Sequence, residues 1–293
     1  MTGFGGQTMV GTLRRVMVCA PKVAGWTRPE GVAQWKMLGY SHEPNFALAQ
    51  AQHDTLRREL EAAGAEVIAL PVGNGFTLDA VYAHDPSLMT DWGAICMRMG
   101  KSERNGEPPA HAAMYRTLGI PVLGEMAPPG MAEAGDMVWL DGKTLLVGRG
   151  YRTNAAGIEQ LRGLLGPKGV QMIVAPLPHG GGSAVCLHMM SLMSMLDERT
   201  VLVDLEWLAV QTVELLRERG FRFVEIDASE RATLACNVLS LGDGRLLALE
   251  DNARTNARLR ETGFDVRTFP GSEVAINGGG GPTCLTRPIL RRV

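Results

Sequence analysis

The sequence predicts an α/β fold in which five ββαβ units close into a ring, forming one domain over residues 1–293. Three observations lead there: a duplicated segment with fixed internal spacing, hairpins that precede helices, and a composition suited to a large core. Met137–Val147 is followed by Arg152-Thr153-Asn154, a helical run to about Leu165 and an apolar run from Val170. Asn237–Leu249 is followed by Arg254-Thr255-Asn256, a helical run to Gly263 and an apolar run from Phe264. Asp141-Gly142 and Asp243-Gly244 are dipeptides of tight hairpin turns. Each Asp lies 11 residues before the Arg of its RTN, and the copies stand 102 residues apart. Chance does not readily produce that register. Thr or Asn ahead of each helix offers an oxygen to the orphan N–H groups of its first turn.

The remaining units follow the same order. About ten N-terminal residues are expected as a flexible tail, before a strand at Val16–Cys19. A helix from about Asn45 to Gly64 and a strand at Glu66–Leu70 continue that unit, and its missing strand is expected from Cys284–Leu290. Next come a hairpin over Leu88–Met97 turning at Trp92-Gly93, a helix near Ala110–Leu118 and a strand from Ile120. A weaker copy fills the gap between the two clear ones. It has a strand entering Asp197-Glu198-Arg199, a second at Thr200–Asp204, a helix around Trp207–Arg217 and a strand at Phe221–Ile226. Units of about 50 residues cannot each bury an apolar face alone, so they stack. A doubly wound sheet would need a helix directly after every strand, which this order does not give.

Composition narrows the partners. At 293 residues and 45% hydrophobic content the chain is long enough to bury a core. Lys and Arg total 29 against 31 Asp and Glu, so no basic excess favours nucleic acid. Five scattered cysteines without CxxC spacing argue against a disulfide framework or a structural zinc site. No apolar signal core or run of about 18 apolar residues is present. A soluble cytoplasmic protein without membrane partners is expected, with a homodimer as the candidate assembly.

Four features could carry chemistry. Cys284 ends the run Asn277-Gly-Gly-Gly-Gly-Pro-Thr, where glycines let backbone and ligand approach closely. Read structurally, it is a buried small hydrophobe. Glu133-Ala-Gly-Asp136 precedes a hairpin strand and reads either as a polar turn or as a carboxylate pair. His188 stands alone in the apolar run Val185–Met193, where a hydrogen-bonded core histidine is the ordinary reading. Asp85, just before Pro86, could simply form a turn. Each residue sits at the edge of a different unit. In a ring, equivalent strand ends converge, so a thiol, a proton carrier and two carboxylates could share one pocket.

These motifs resemble the guanidine-modifying superfamily of five-bladed α/β propellers, the pentein fold: arginine deiminases, amidinotransferases and dimethylarginine dimethylaminohydrolases. Four ordered segments between Val16 and Arg291 carry the likeness. They are Ala83-His84-Asp85-Pro86 with Ser102–Glu107, Glu133-Ala-Gly-Asp136 with Arg152–Gly157, Leu187-His188, and Gly-Pro-Thr-Cys284. The resemblance implies Cys284 as nucleophile, His188 as general acid and base, and Asp85 and Glu133 as guanidinium-binding carboxylates. It implies Arg104 and Arg152 as grips for a substrate α-carboxylate. The deiminase His-x-Asp is replaced by His188-Met189-Met190, which moves the likeness toward the dimethylaminohydrolases. His84 stands where an acidic residue is usual.

The implied reaction is hydrolysis of a substituted guanidine, foremost dimethylarginine, through a thiouronium on the cysteine, with no metal or organic cofactor. Arginine deimination or dihydrolysis and amidino transfer are the enzyme alternatives. A zinc hydrolase built on Glu133, His188 and Cys284 is disfavoured by their spacing, and a silent ligand-binding protein on the same fold is the non-enzyme reading.

Overall fold

The computed structural model describes residues 3–292. After β1 (Thr12–Val18) come two short helices, α1 (Pro29–Val32) and α2 (Trp35–Leu38), then α3 (Phe46–Ala62) and β2 (Glu66–Ala69). The next unit is β3 (Ser87–Thr90), β4 (Gly93–Cys96), α4 (Glu107–Thr117) and β5 (Val122–Glu125). The third is β6 (Met137–Asp141), β7 (Thr144–Arg149), α5 (Ala155–Leu165) and β8 (Gln171–Pro176). The fourth is β9 (Met193–Met195), β10 (Thr200–Val203), α6 (Val210–Glu218) and β11 (Arg222–Glu225). The last is β12 (Leu239–Gly242), β13 (Arg245–Leu249), α7 (Ala253–Glu261) and β14 (Asp265–Phe269), and β15 (Arg287–Arg292) ends the described chain.

Among the described residues these strands form five three-stranded sheets. In each, the middle strand pairs antiparallel on one side and parallel, across the helix, on the other. The sheet of β1 and β2 takes its third strand from β15, so the chain ends complete the first unit together. The helices bury one face each, through Leu56 and Leu60 of α3, Leu161 and Leu165 of α5, Leu216 of α6 and Leu259 of α7.

Two local details differ from the sequence reading. Asp243 and Gly244 both adopt positive φ, 56° and 73°, as a hairpin of the primed type requires. In the other copy, Asp141 instead accepts a hydrogen bond from Lys143 N at 2.8 Å, an Asx turn. The RTN segments also diverge. Asn154 caps α5, accepting from Gly157 N at 2.8 Å, but Arg254-Thr255-Asn256 lies inside α7. The cause is Glu230, whose two carboxylate oxygens accept from Arg254 N and Thr255 N at 2.8 Å each. A carboxylate from outside satisfies the first-turn donors, so the helix starts earlier.

The expected tail is corrected. Gly5 N donates to Ile289 O at 2.8 Å, and Arg291 N donates to Gly5 O at 3.0 Å. Gly6 N donates to Asp91 Oδ1 and Gln7 Nε2 to Gly142 O, so this segment contacts three units. Residues 1–2 of that expectation lie outside the described residues.

Candidate active site

The segments leading into the first strands of the units carry the polar residues. Asp85 precedes β3, Glu133 and Asp136 precede β6, His188 precedes β9, Asn237 precedes β12, and Cys284 precedes β15. These segments are stitched together by backbone and side-chain bonds. Ala134 N donates to Asp85 O at 2.9 Å, His84 N to Cys284 O at 3.1 Å, and Ser194 Oγ to Cys236 O at 2.7 Å. A cavity of about 270 Å³ opens over them, lined by Asp79, Tyr82, Asp85, Lys101, Arg104, Arg152, Cys186, His188 and Cys284.

Two glycines are required by close approach. A Cβ on Gly135 would lie 2.5 Å from His188 Nδ1 and 2.7 Å from Asp85 Oδ1. One on Gly280 would lie 2.5 Å from the Tyr82 ring and 3.0 Å from Cys284 Cβ. The glycine run before Cys284 therefore lets the backbone press against an aromatic wall.

His188 is the hub. Its Nε2 lies 2.7 Å from Glu133 Oε2 and its Nδ1 3.7 Å from Asp85 Oδ1. Burial alone would push the imidazole down, but Cys186, Asp85 and Asp136 around it hold it well above its ordinary value. These neighbours favour the imidazolium form of His188. Burial pushes the Glu133 carboxyl up, yet the bond and charge of His188, with Arg104 and Arg152, hold it down to about 2. Asp85 is drawn below its usual range by His188 and Arg104 against the same burial.

The structure brings all six expected residues together but places two of them differently from the expectation. Glu133 is fully buried and does not line the cavity. Its Oε1 accepts from Gly100 N at 2.8 Å and its Oε2 meets His188, so it orients the imidazole instead of facing a guanidinium. Arg104 is not free to grip a carboxylate. Its Nε and Nη2 bond Glu107, Nη2 also bonds Tyr82 O, and Nη1 bonds Asp85 Oδ2 at 2.6 Å. Four of its five N–H groups are thereby committed, and its place is behind Asp85. Among the described residues Arg152 hydrogen-bonds only Glu133 Oε1, at 3.5 Å, and it lines the cavity with donors to spare.

Cys284 and His188 do not hydrogen-bond. Asn237 Nδ2 lies 3.1 Å from Cys284 Sγ, whereas the thiol beside His188 belongs to Cys186, 3.6 Å from Nδ1. Burial first, then Asp85, pushes the Cys284 thiol up to about 12, against the pull of His188 and Asn237. Asp85 Oδ1 is buried without a hydrogen-bond partner, an acceptor left for a cationic donor.

Sequence reasoning missed Glu107, Asn237, Cys186 and the role of Asp136. Asp136 accepts from Thr153 Oγ1 at 2.6 Å and Met189 N at 3.0 Å, tying the Arg152 and His188 segments together. Asn237 had a signal: it opens the second copy of the repeat, 102 residues after Gly135. Cys186 had none beyond its place two residues before His188.

Five ββαβ units with a thiol, an imidazolium and buried carboxylates around one cavity define the class, the guanidine-modifying enzymes. The chain belongs to the arginine deiminase family, whose sequence profile matches residues 78–217 and 206–291. It is 25% identical over 285 residues to the uncharacterized protein YkgA of Bacillus subtilis, covering 97% of this chain and 94% of that one. It is 26% identical over 238 residues to the N(G),N(G)-dimethylarginine dimethylaminohydrolase of Pseudomonas aeruginosa, covering 81% and 87%. A solved structure of the Pseudomonas aeruginosa enzyme, a cysteine-to-serine mutant complexed with citrulline, superposes with a TM-score of 0.77 at 24% identity, covering 94% and 99%.

Proposed function

We propose that the protein hydrolyses dimethylarginine to citrulline and dimethylamine, acting as one closed ring of five units over its whole length. The observation that carries this reading is the unpartnered, buried Asp85 Oδ1 in a cavity walled by Cys284 and His188. A planar guanidinium offers N–H donors to that carboxylate through charge-assisted bonds.

Binding brings a cation beside a thiol that is otherwise protonated, and the thiol loses its proton to solvent. The thiolate attacks the guanidinium carbon and forms the C–S bond. His188, already an imidazolium held by Glu133, donates a proton to the departing dimethylamine as the C–N bond breaks. Water then adds to the thiouronium carbon while neutral His188 takes its proton. The C–S bond breaks as the hydroxyl proton is lost to solvent, releasing the ureido product and the Cys284 thiolate. Arg152 grips the substrate carboxylate, and Arg104 fixes Asp85.

The test is incubation of the protein with dimethylarginine, arginine and alkylguanidines without a carboxylate. Ureido product and released amine are assayed, and the adduct on Cys284 is trapped by acid quench for mass spectrometry. Dimethylarginine should give citrulline and dimethylamine in equal amounts. Absence of ureido product from every guanidine would refute the reading.

A further inference from the structure

Two arginines outside this chemistry are buried without a carboxylate in bonding contact, although the charge of Asp85 reaches Arg287. Arg287 and Arg291 both lie on β15, on either side of an irregularity in its pairing with β1, and both are buried. Arg287 Nη2 donates to His84 O at 2.8 Å and Arg291 Nη1 to Gly11 O at 2.7 Å. Among the described residues neither guanidinium has a carboxylate oxygen within 4.0 Å. The Nε of Arg287 is buried with no hydrogen-bond partner. Buried charges are normally paired, because taking an unpaired ion out of water is costly.

A cavity of about 20 Å³ lies against Arg291, which is room for about one water-sized particle. Its other walls include His84, Met190, Met193, Ser194, Ser240 and Thr283. The hydroxyls donate elsewhere: Ser194 to Cys236 O, Ser240 to Leu196 O, and Thr283 to Val238 O. Arg291 is therefore the one cationic residue, set beside neutral walls, among those that line this space. An oxyanion would bring more acceptor oxygens than one guanidinium in so small a volume can satisfy. A monatomic anion needs only charge and soft contacts, and methionine walls supply the latter.

We propose that this cavity binds one halide ion, held by Arg291 and favoured by the positive charge of Arg287. Burial pushes Arg287 down to about 10, and burial with the neighbouring Arg287 charge pushes Arg291 down to about 9. A bound anion relieves both. The ion lies beneath the active site, because the wall residues His84 and Thr283 directly adjoin Asp85 and Cys284.

The test begins with wild-type crystals grown without chloride, soaked in bromide and measured at the bromine edge. An anomalous peak within ~3.5 Å of the Arg291 guanidinium is expected, a contact somewhat longer than an N–H···O bond. Replacing sodium gluconate by sodium chloride at constant ionic strength should raise Tm saturably, by roughly 2–4 °C. Arg291→Met should abolish both responses, while Arg14→Met, at an exposed arginine, should keep them. A site showing only water without anomalous signal, or a wild-type Tm indifferent to halide, would overturn the proposal whether or not the variant folds.

Discussion

Iodoacetamide should alkylate Cys284 slowly in the ligand-free protein at neutral pH, and the rate should climb toward a midpoint of about 12. Four units below such a midpoint, on the order of one thiol in 10⁴ is ionised. A guanidinium seated ~4 Å from the sulfur, at an effective dielectric of ~20, contributes about 4 kcal/mol, or about three pKa units. That brings the midpoint to roughly 9 and multiplies the thiolate fraction at pH 8 by nearly 10³. The assay is mass-spectrometric labelling of the Cys284 peptide between pH 7 and 11, in a Cys186→Ala background so that the second cavity thiol does not compete. Guanidinium chloride at sub-denaturing concentration serves as a small cation that leaves room for the reagent. A ligand-free midpoint below about 8, or labelling indifferent to the cation, would refute activation of the thiol by its substrate.

Cys284→Ser should abolish citrulline formation while Cys186→Ala retains most of it; the opposite result would transfer the nucleophile to the thiol that touches His188. Glu133 has a folded value near 2 against an ordinary 4.5, so its contribution to stability is full above about 4.5 and is lost as pH falls through 2. Glu133→Gln should therefore flatten the stability profile between about pH 5 and 2, measured by urea unfolding, and an unchanged slope would show that the ion pair is not formed. Arg152→Ala should cost about 1.5–3 kcal/mol, about ten- to a hundredfold in kcat/KM, toward dimethylarginine but little toward its decarboxylated analogue. Arg104→Met should impair both compounds alike and lower stability by about 3–5 kcal/mol, since it breaks a buried ion-pair cluster by removing its cation. Equal discrimination by wild type and Arg152→Ala would exclude a carboxylate grip at that residue.

The fold was legible because its information is local. Two DG turns, the caps and the alternation of apolar runs locate most strands and helices within a few residues, and the pairing of β15 with β1 follows from counting strands. The site was legible as a set of residue types but not as a division of labour. Glu133 and Asp85 are both acidic residues at segment edges, and nothing in their neighbours says which faces the cavity. That is decided by contacts across units: Gly100 N fills one oxygen of Glu133, while Arg104 fills only one of Asp85. Arg152 and Arg254 look equivalent in sequence because both stand 11 residues after a DG turn. One is buried against Glu133 and the other is largely exposed, because Glu230 caps α7 from outside and shifts its start.

On the proposed reading, the arrangement around Asp85 favours a cation there. Arg104 is held by Glu107 on one edge and presents Nη1 to Asp85 Oδ2 on the other, so it engages one oxygen of the Asp85 carboxylate and not both. Its Oδ1 is thus kept unpartnered beside His188 Nδ1, at 3.7 Å and without a good hydrogen bond. An unsatisfied buried acceptor costs about 1–3 kcal/mol or more, and a guanidinium recovers that cost on arrival. Burial pushes Glu107 up to about 7, even against the charge and hydrogen bonds of Arg104. Removing Arg104 would let Glu107 take up a proton and leave Asp85 free to turn toward His188. The proposed selectivity for a planar cation would therefore reside in a pair behind the cavity wall as much as in the residues that line it.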